Sequence, residues 1–446
     1  VVCLMSSLLV LLFTSVDPYM DEIFHIPQAK EYCNGNFDSW DPKITTFPGL
    51  YIISSMLPFV VKKISGYNFC GTFYLRCCNF VFSMLYFAVA VWCRKLIAKS
   101  TIDALTLANV LYFYPPVFFY HFLYYTDTLS VLSLLALYAY AIQNVQARKE
   151  KSVSLRSHCI MILLSSVCIL SRQTNALWVL FVAGVTILSE MERKEVLRDN
   201  QWDIHAVLYF IRSLFVHFHY IASVTWSLLL PVFAFVLFIV YNGSIVVGDK
   251  GNHQMVLHLA MPLHFLVIVS LIMAPVHIFQ RFYTFNGTTS EVQPSARVSR
   301  RSSFLSAVRW GTDNAFLFFA VNCVVGWILW SSCYSHPFLL ADNRHLTFYI
   351  WRYILSKPVL RLVLTPVYST AVIHVYQTIS QCKGLLWMSI YSLALGITLI
   401  PAHLLELRYF TPGVVVLLLN IPQVTQRAWT LVVVAFVVVD VALLYI

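Results

Sequence analysis

Residues 222–242 read ASVTWSLLLPVFAFVLFIVYN, with no charged side chain in the run. The apolar residues are continuous rather than alternating. A helix needs about 20 such residues to cross the hydrocarbon core of a bilayer. A helix also hydrogen-bonds its own backbone, as a lipid solvent requires, whereas a barrel strand would show alternation. This stretch is therefore a membrane-spanning helix, and the rest of the chain repeats it. Spans are expected near 1–16, 73–93, 103–121, 127–143, 158–171, 174–190, 222–242, 256–279, 313–333, 358–378, 384–400, 408–424 and 428–446.

Composition agrees. Of 446 residues, 59% are hydrophobic and 11% charged, and mean hydropathy is +0.74; an ordinary soluble domain is roughly 25% charged. The fold class is an all-α polytopic membrane protein with about 12–13 transmembrane helices, expected to form one integral membrane domain over 1–446. The run 1–16 is read as a first span rather than a cleaved signal peptide, because no small-residue cleavage site follows it. Leu50–Val61 is apolar but short and ends at Lys62-Lys63, so an interfacial or re-entrant helix is expected there.

The net charge of +10 is read as a mark of topology rather than as a nucleic-acid footprint. With the N-terminus on the cytoplasmic side, the clusters Arg94–Lys99, Arg148–Arg156, Arg193–Arg212 and Arg281–Arg309 all fall on that side, as the positive-inside rule requires. The last of these defines a basic cytoplasmic loop over 280–312. The opposite face then receives six polar patches: 17–72, 124–127, 172–175, 248–253, 336–357 and 403–408. Ionisable groups gathered at one membrane face point to a site there, although each patch alone is also an ordinary loop or helix cap. Of the 11 cysteines, Cys33 and Cys70 fall in the first non-cytoplasmic segment, where an oxidising compartment permits a disulfide. No Cys or His spacing marks a metal site, and no cofactor motif is present.

The segment 17–72 carries most of the chemistry. It opens Asp17-Pro-Tyr-Met-Asp21-Glu22-Ile-Phe-His25-Ile-Pro-Gln28. The interleaving of Ile23, Phe24, Ile26 and Ala29 with polar residues predicts a short amphipathic helix at the membrane surface. A carboxylate there could cap that helix or take a proton from an attacking hydroxyl as a general base. A lipid-phosphate leaving group would need positive charge, and the same face offers Arg172, Arg344 and Arg408.

The motifs YMDEIFHIPQAKEYCNGNF (19–37), WDPKITTFPGLY (40–51), FLYYTDTLS (122–130), RQTNALW (172–178), VVGDKGNH (246–253), HPFLLADNRHLTFYIWR (336–352) and LLELRYF (404–410) are ordered along the chain. Together they resemble the dolichyl-phosphate-glucose-dependent α-1,2-glucosyltransferases of the endoplasmic reticulum, a family of the GT-C fold, from about Pro18 to Pro422. The interior of GDKGNH and Leu407 depart from the family pattern without removing a charge.

That resemblance implies a dolichyl-phosphate glucose donor and a diglucosylated, dolichyl-diphosphate-linked oligosaccharide acceptor. It implies inversion at the sugar, a site facing the lumen, and neither metal nor cofactor. It makes Asp21 the general base, with Glu22 its competitor. Arg408 with Glu406, and Arg344 with His345, become candidates for the donor's lipid phosphate. His25, Trp40, Asp127, Arg172, Asp249, His253, Asp342 and Asn343 become candidates for sugar or acceptor contacts. For several, a blander role is equally legible: His25 as a packed helix histidine, Trp40 as an interfacial anchor, Glu406 as a partner that orients an arginine. A membrane transporter or a non-catalytic channel-regulating partner is the alternative, but a transporter gathers its ionisable groups near the bilayer midplane. Oligomeric state is left open.

Overall fold

The computed structural model describes residues 17–148, 152–194, 196, 204–251, 255–285, 304–341 and 346–444. The expected first span over 1–16 and much of the 280–312 loop lie outside these residues. Helices and turns make up the described chain, with no strand among the described residues. The chain falls into two compact units. The first comprises Val1–Cys93, Leu111–Ile187 and Phe218–Gln254; the second comprises Arg94–Val110, Leu188–His217 and Met255–Ile446.

The first unit is built on α1 (Glu22–Asn34), α2 (Gly49–Ser65) and the long α3 (Thr72–Ala98), which runs on into the second unit. Helix α1 ends where Gly35 adopts φ +90° and its N–H reaches back to the carbonyl of Tyr32, while Asn36 N–H reaches Glu31. This is the left-handed stop that glycine makes cheaply. The buried stripe of α1 differs from the one expected. Ile26 and Ala29 are inside, but so are Glu22, His25 and Gln28, while Ile23 is 52% exposed. The helix therefore turns a polar face inward, and those groups meet partners described below. Cys33 on α1 is disulfide-bonded to Cys70, with Cα atoms 6.4 Å apart.

Helix α2 packs along α1 and starts on the end of a later helix. A Cβ at Gly49 would lie 2.5 Å from the carbonyl oxygen of Leu170, so only glycine permits that approach. The span expected over 103–121 is broken. Helix α4 (Thr101–Tyr112) stops, Tyr114 takes extended backbone, and α5 (Pro115–Phe118) begins at a Pro-Pro pair. A residue before proline is pushed out of the helical region.

Helices α6 (Thr126–Ala147), α7 (Leu155–Ser171) and α8 (Asn175–Arg193) follow, then α9 (Ile204–Val216) and α10 (Phe218–Asn242). Helix α6 is buried on nearly every side, whereas α10 exposes Phe233, Leu237 and Val240. A helix that turns bare apolar side chains outward has lipid as its natural neighbour.

The second unit centres on α11 (Ala260–Phe285). Around it come α12 (Phe304–Asp313), α13 (Ala315–Ser331), α14 (Pro337–Ala341), α15 (Leu346–Ile350), α16 (Pro358–Val363), α17 (Thr365–Ile379), α18 (Leu385–Leu399), α19 (Thr411–Leu419) and α20 (Gln426–Leu444). Helix α17 packs against α11, α12 and α13.

Among the described residues, α3, α6, α8, α10 and the Ala260–Ile278 part of α11 are long and apolar enough to cross a membrane. Two broken helix pairs add up to two more, including α12 with α13, bent by 109°. Four shorter apolar helices also occur. The span expected over 408–424 is instead α19, a helix of 9 residues buried throughout. At about 1.5 Å per residue it reaches less than half of the roughly 30 Å hydrocarbon thickness.

The second unit is clamped by Arg94. Its Nε lies 2.5 Å from Asp103, and its Nη1 donates at 2.8 Å to the carbonyls of both Leu419 and Ile421. All of this is buried. Replacing Arg94 with Met strands a buried carboxylate and two carbonyls, and should cost about 3–5 kcal/mol. Thermal unfolding of the purified chain in detergent reads this as a clear drop in midpoint. Adding Asp103→Leu to Arg94→Met should restore part of the loss, because the orphaned charge is then gone.

Candidate functional site

Four of the six polar patches belong to the first unit, and the fold joins them there. Glu22 lies at its centre. Both carboxylate oxygens are saturated: Oε2 accepts from Arg76 Nη2 at 2.6 Å and from the Tyr19 N–H at 2.9 Å, and Oε1 accepts from Arg76 Nε at 3.0 Å and from the Tyr124 N–H at 2.7 Å. Glu22 and Arg76 are 0% and 1% exposed. Arg76 also donates to the Asp17 carbonyl at 3.1 Å. A carboxylate with four donors and no exposure has no capacity left for a substrate.

Asp21 is placed differently. It occupies the capping position of α1, but its side chain makes no capping hydrogen bond, and it is half-buried rather than enclosed. Its backbone is held instead. The Asp21 N–H donates to the Tyr125 hydroxyl at 2.6 Å, and Met20 before it sits at φ +52°. That is a left-handed conformation, rare for a residue with a side chain. The neighbouring carboxylates thus have separate surroundings, one locked and one presented at the helix start.

The 120–127 segment is fastened from the other side by Asn79 on α3. Its Nδ2 donates to the carbonyl of Leu123 at 2.5 Å and to that of Tyr125 at 2.9 Å. Two residues on, in the first turn of α6, Asp127 is ion-paired to Arg172. Its Oδ2 is buried with no hydrogen-bond partner among the described residues. Asn175, beside Arg172, ties this corner to Ser130 Oγ at 2.8 Å and to the Cys168 carbonyl at 2.9 Å.

The 39–49 segment crosses the same region. Gln28 donates to the Ser39 carbonyl at 2.7 Å and accepts from the Asp41 N–H at 2.8 Å. Gln173 reaches the Thr45 carbonyl, and the N–H groups of Val247 and Asp249 donate to the carbonyls of Thr45 and Pro42. Gly248 lies flat on the carbonyls of Pro42 and Ile44, with no room for a Cβ. Asp249, at φ +44°, is thereby docked against this loop.

His25 is packed: its Nδ1 lies 2.5 Å from the Tyr51 hydroxyl, and its ring meets Tyr125 edge-on. Burial holds the Tyr51 phenol above its ordinary value, so it stays protonated. Trp40 packs edge-on against Tyr51 and donates to the Ile44 carbonyl at 3.3 Å.

The other two patches meet in the second unit. His336 and His403 have ring centroids 4.7 Å apart. Glu406 pairs with the Nε edge of Arg408, whose guanidinium lies 5.9 Å from the Tyr409 ring centroid. Glu406 therefore orients this arginine. Asp342, Asn343, Arg344, His345 and His253 lie outside the described residues.

Arg76 and Asn79 were missed by motif reasoning. The signal was present, since an arginine inside the apolar run 73–93 must have a buried partner. Gln28, Tyr51 and Gln173 carried no comparable mark.

Helical membrane units with a presented carboxylate, a set of paired arginines and docked polar loops define a membrane-embedded group-transfer protein as a class. The comparisons with known proteins make this particular. The profile of the DIE2/ALG10 family matches residues 15–419, and the chain belongs to that family. A human relative named "Dol-P-Glc:Glc(2)Man(9)GlcNAc(2)-PP-Dol alpha-1,2-glucosyltransferase" is 31% identical over 432 residues, covering 91% of this chain and 84% of its own length. Relatives with the same name in Arabidopsis thaliana and Drosophila melanogaster are each 29% identical, covering 89% and 91% of this chain and 84% of their own length. No solved structure matches.

The contrast between the two carboxylates can be measured. Arg76→Met leaves Glu22 buried without its counter-charge and should cost about 3–5 kcal/mol, seen as a lowered unfolding midpoint. Asp21→Asn keeps the size of the side chain and leaves the Glu22–Arg76 pair intact, so it should lower that midpoint by clearly less than Arg76→Met does.

Proposed function

We propose that this chain is an inverting glucosyltransferase of the endoplasmic reticulum membrane. It moves glucose from dolichyl-phosphate glucose to the diglucosylated, dolichyl-diphosphate-linked oligosaccharide, forming the terminal α-1,2 linkage used in protein N-glycosylation. Family membership over residues 15–419, together with relatives whose names give donor, acceptor and linkage, carries this reading. The domain is of the GT-C type, with its site facing the lumen.

Asp21 is the general base. It accepts the proton of the acceptor glucose 2-hydroxyl as that oxygen attacks C1 of the donor glucose. The C1–O bond to dolichyl phosphate breaks on the opposite face of the ring, which inverts the β-linked donor to an α product. The departing phosphate keeps the bonding electrons, and its charge is balanced by arginine, for which the LLELRYF motif offers Arg408. A planar guanidinium meets phosphate oxygens two at a time. Phosphate is a competent leaving group once its charge is balanced, so no second protein acid is required. Glu22 supports Asp21 from its locked position and takes no proton. The unpaired Oδ2 of Asp127 is a ready acceptor for a sugar hydroxyl, with Arg172 fixing the carboxylate.

The test is glucose transfer by purified protein supplied with both lipid-linked substrates. Wild type should yield the triglucosylated lipid. Asp21→Asn should lower the rate by roughly 10²–10⁴, as loss of a general base does, in folded protein. Near-normal activity in that variant would remove Asp21 from the role. No transfer by folded wild type from this donor would sink the activity itself.

A further inference from the structure

The fold of the second unit brings together three side chains that share no sequence motif. His258 immediately precedes α11, His264 lies in its first turns, and Cys333 follows the end of α13. One ligand atom from each lies within 4.8 Å of the other two, and His264 Nε2 is 4.0 Å from Cys333 Sγ. Both histidines are buried and the cysteine is partly so.

Orientation matters more than proximity. His258 Nδ1 lies 3.1 Å from the Ala402 carbonyl oxygen. A carbonyl only accepts, so Nδ1 carries the proton and the lone pair of the neutral ring sits on Nε2. That Nε2 is buried and has no hydrogen-bond partner among the described residues. A stripped, unpaired acceptor is unfavourable in a protein interior, and a bound cation would relieve it. His264 Nδ1 is 2.8 Å from the Tyr368 hydroxyl, a group that accepts as well as donates, and with Nδ1–H donating to it the Nε2 lone pair is left toward the thiol. An imidazole held through one nitrogen by a carbonyl or hydroxyl, with the other nitrogen offered, is how metal-binding histidines are prepared.

We propose that His258 Nε2, His264 Nε2 and Cys333 Sγ bind one zinc ion. Two imidazoles and a thiolate suit a borderline-soft d¹⁰ cation, whereas magnesium and calcium demand oxygen ligands. In a tetrahedral site with bond lengths of 2.0–2.3 Å, ligand atoms stand roughly 3.3–3.6 Å apart, so the present spacing closes by up to about 1.5 Å. Water takes the fourth position. Binding is not a redox step: the thiol loses its proton to solvent, and its sulfur lone pair forms the Zn–S bond as water leaves the ion. The ion joins the start of α11 to the end of α13. Through the His258–Ala402 bond it also braces the turn that leads into Glu406 and Arg408. The role is structural, and it bears on the transfer only through the position of Arg408.

The experiment uses the full chain, purified on a histidine-free tag without chelator. Elemental analysis should find about one zinc per chain. Replacing zinc with cobalt(II) should give the intense d–d bands of a tetrahedral site and a thiolate-to-cobalt charge-transfer band. Cys333→Ser should remove that band, and His258→Ala should lower the zinc content. A folded wild type with neither zinc above blank nor a cobalt–thiolate band would overturn the proposal, as would an unchanged band in Cys333→Ser. Should either variant fail to fold, alkylation of Cys333 in wild type decides. Protection by added zinc supports the site, and equal labelling with and without zinc refutes it.

Discussion

A buried carboxylate is costly in any protein and more so near lipid, and the first unit is organised around one. Glu22 is enclosed because Arg76, near the start of α3, offers it two N–H groups, and because the backbone N–H groups of Tyr19 and Tyr124 complete its shell. This single set of bonds fixes the chain entering α1 and the backbone of the 119–125 segment, and orders α3 against both. Breaking either partner leaves a naked charge in a medium that cannot solvate it. The pair therefore acts less as a source of net stability than as a constraint on register. Only one arrangement of α1, α3 and the Tyr124 loop satisfies every member.

The same physical solution appears in the second unit with a different target. There Arg94 spends one edge on Asp103 and another on the carbonyls of Leu419 and Ile421. The last carbonyls of a helix have no partner within it. Where α19 ends in a buried setting, water is not there to serve them. An arginine with five donors in a fixed plane can close such an end and balance a carboxylate at once. Arg94 looks from the sequence like an ordinary charge at the edge of a span, whereas Arg76 lies inside an apolar run. Their full burial shows that they are part of the core.

Continuous apolar runs such as 222–242 made the helical membrane class legible, because lipid leaves the backbone so few alternatives. The grouping of polar patches was legible in part, since Asp21, Tyr124, Arg172 and Asp249 belong to one unit while the 336–357 and 403–408 patches belong to the other. Helix interruptions were harder to read. Hydropathy averages over the Pro115-Pro116 pair and over the helix end at Leu419, so 103–121 and 408–424 read as uniform spans. The inward face of α1 was also hidden. Periodicity places Ile23 with the apolar residues, but Glu22, His25 and Gln28 find partners outside α1, from Tyr19 and Ser39 to Arg76 and Tyr124, and pairing outweighs side-chain hydrophobicity. The gathering of His258, His264 and Cys333 is likewise a product of tertiary packing, with no local spacing to announce it.

The adjacency of Asp21 and Glu22 raises a problem that the structure resolves. Both substrates of the proposed reaction are anionic lipids, so two carboxylates side by side would repel the donor phosphate. Glu22 carries its charge, but Arg76 cancels it within hydrogen-bond distance, and neither group is exposed to the approaching lipid. The other carboxylate, that of Asp21, is half-buried at the helix start. It stands at the N-terminal end of α1, where the helix dipole is positive and the N–H groups of Glu22, Ile23 and Phe24 are bonded to the carbonyls of Tyr19, Met20 and Asp21. A base must be anionic to accept a proton, and a site for phosphate must be net positive. On the proposed reading, Glu22 meets the second demand as a buried neutral pair, and Asp21 at the start of α1 meets the first.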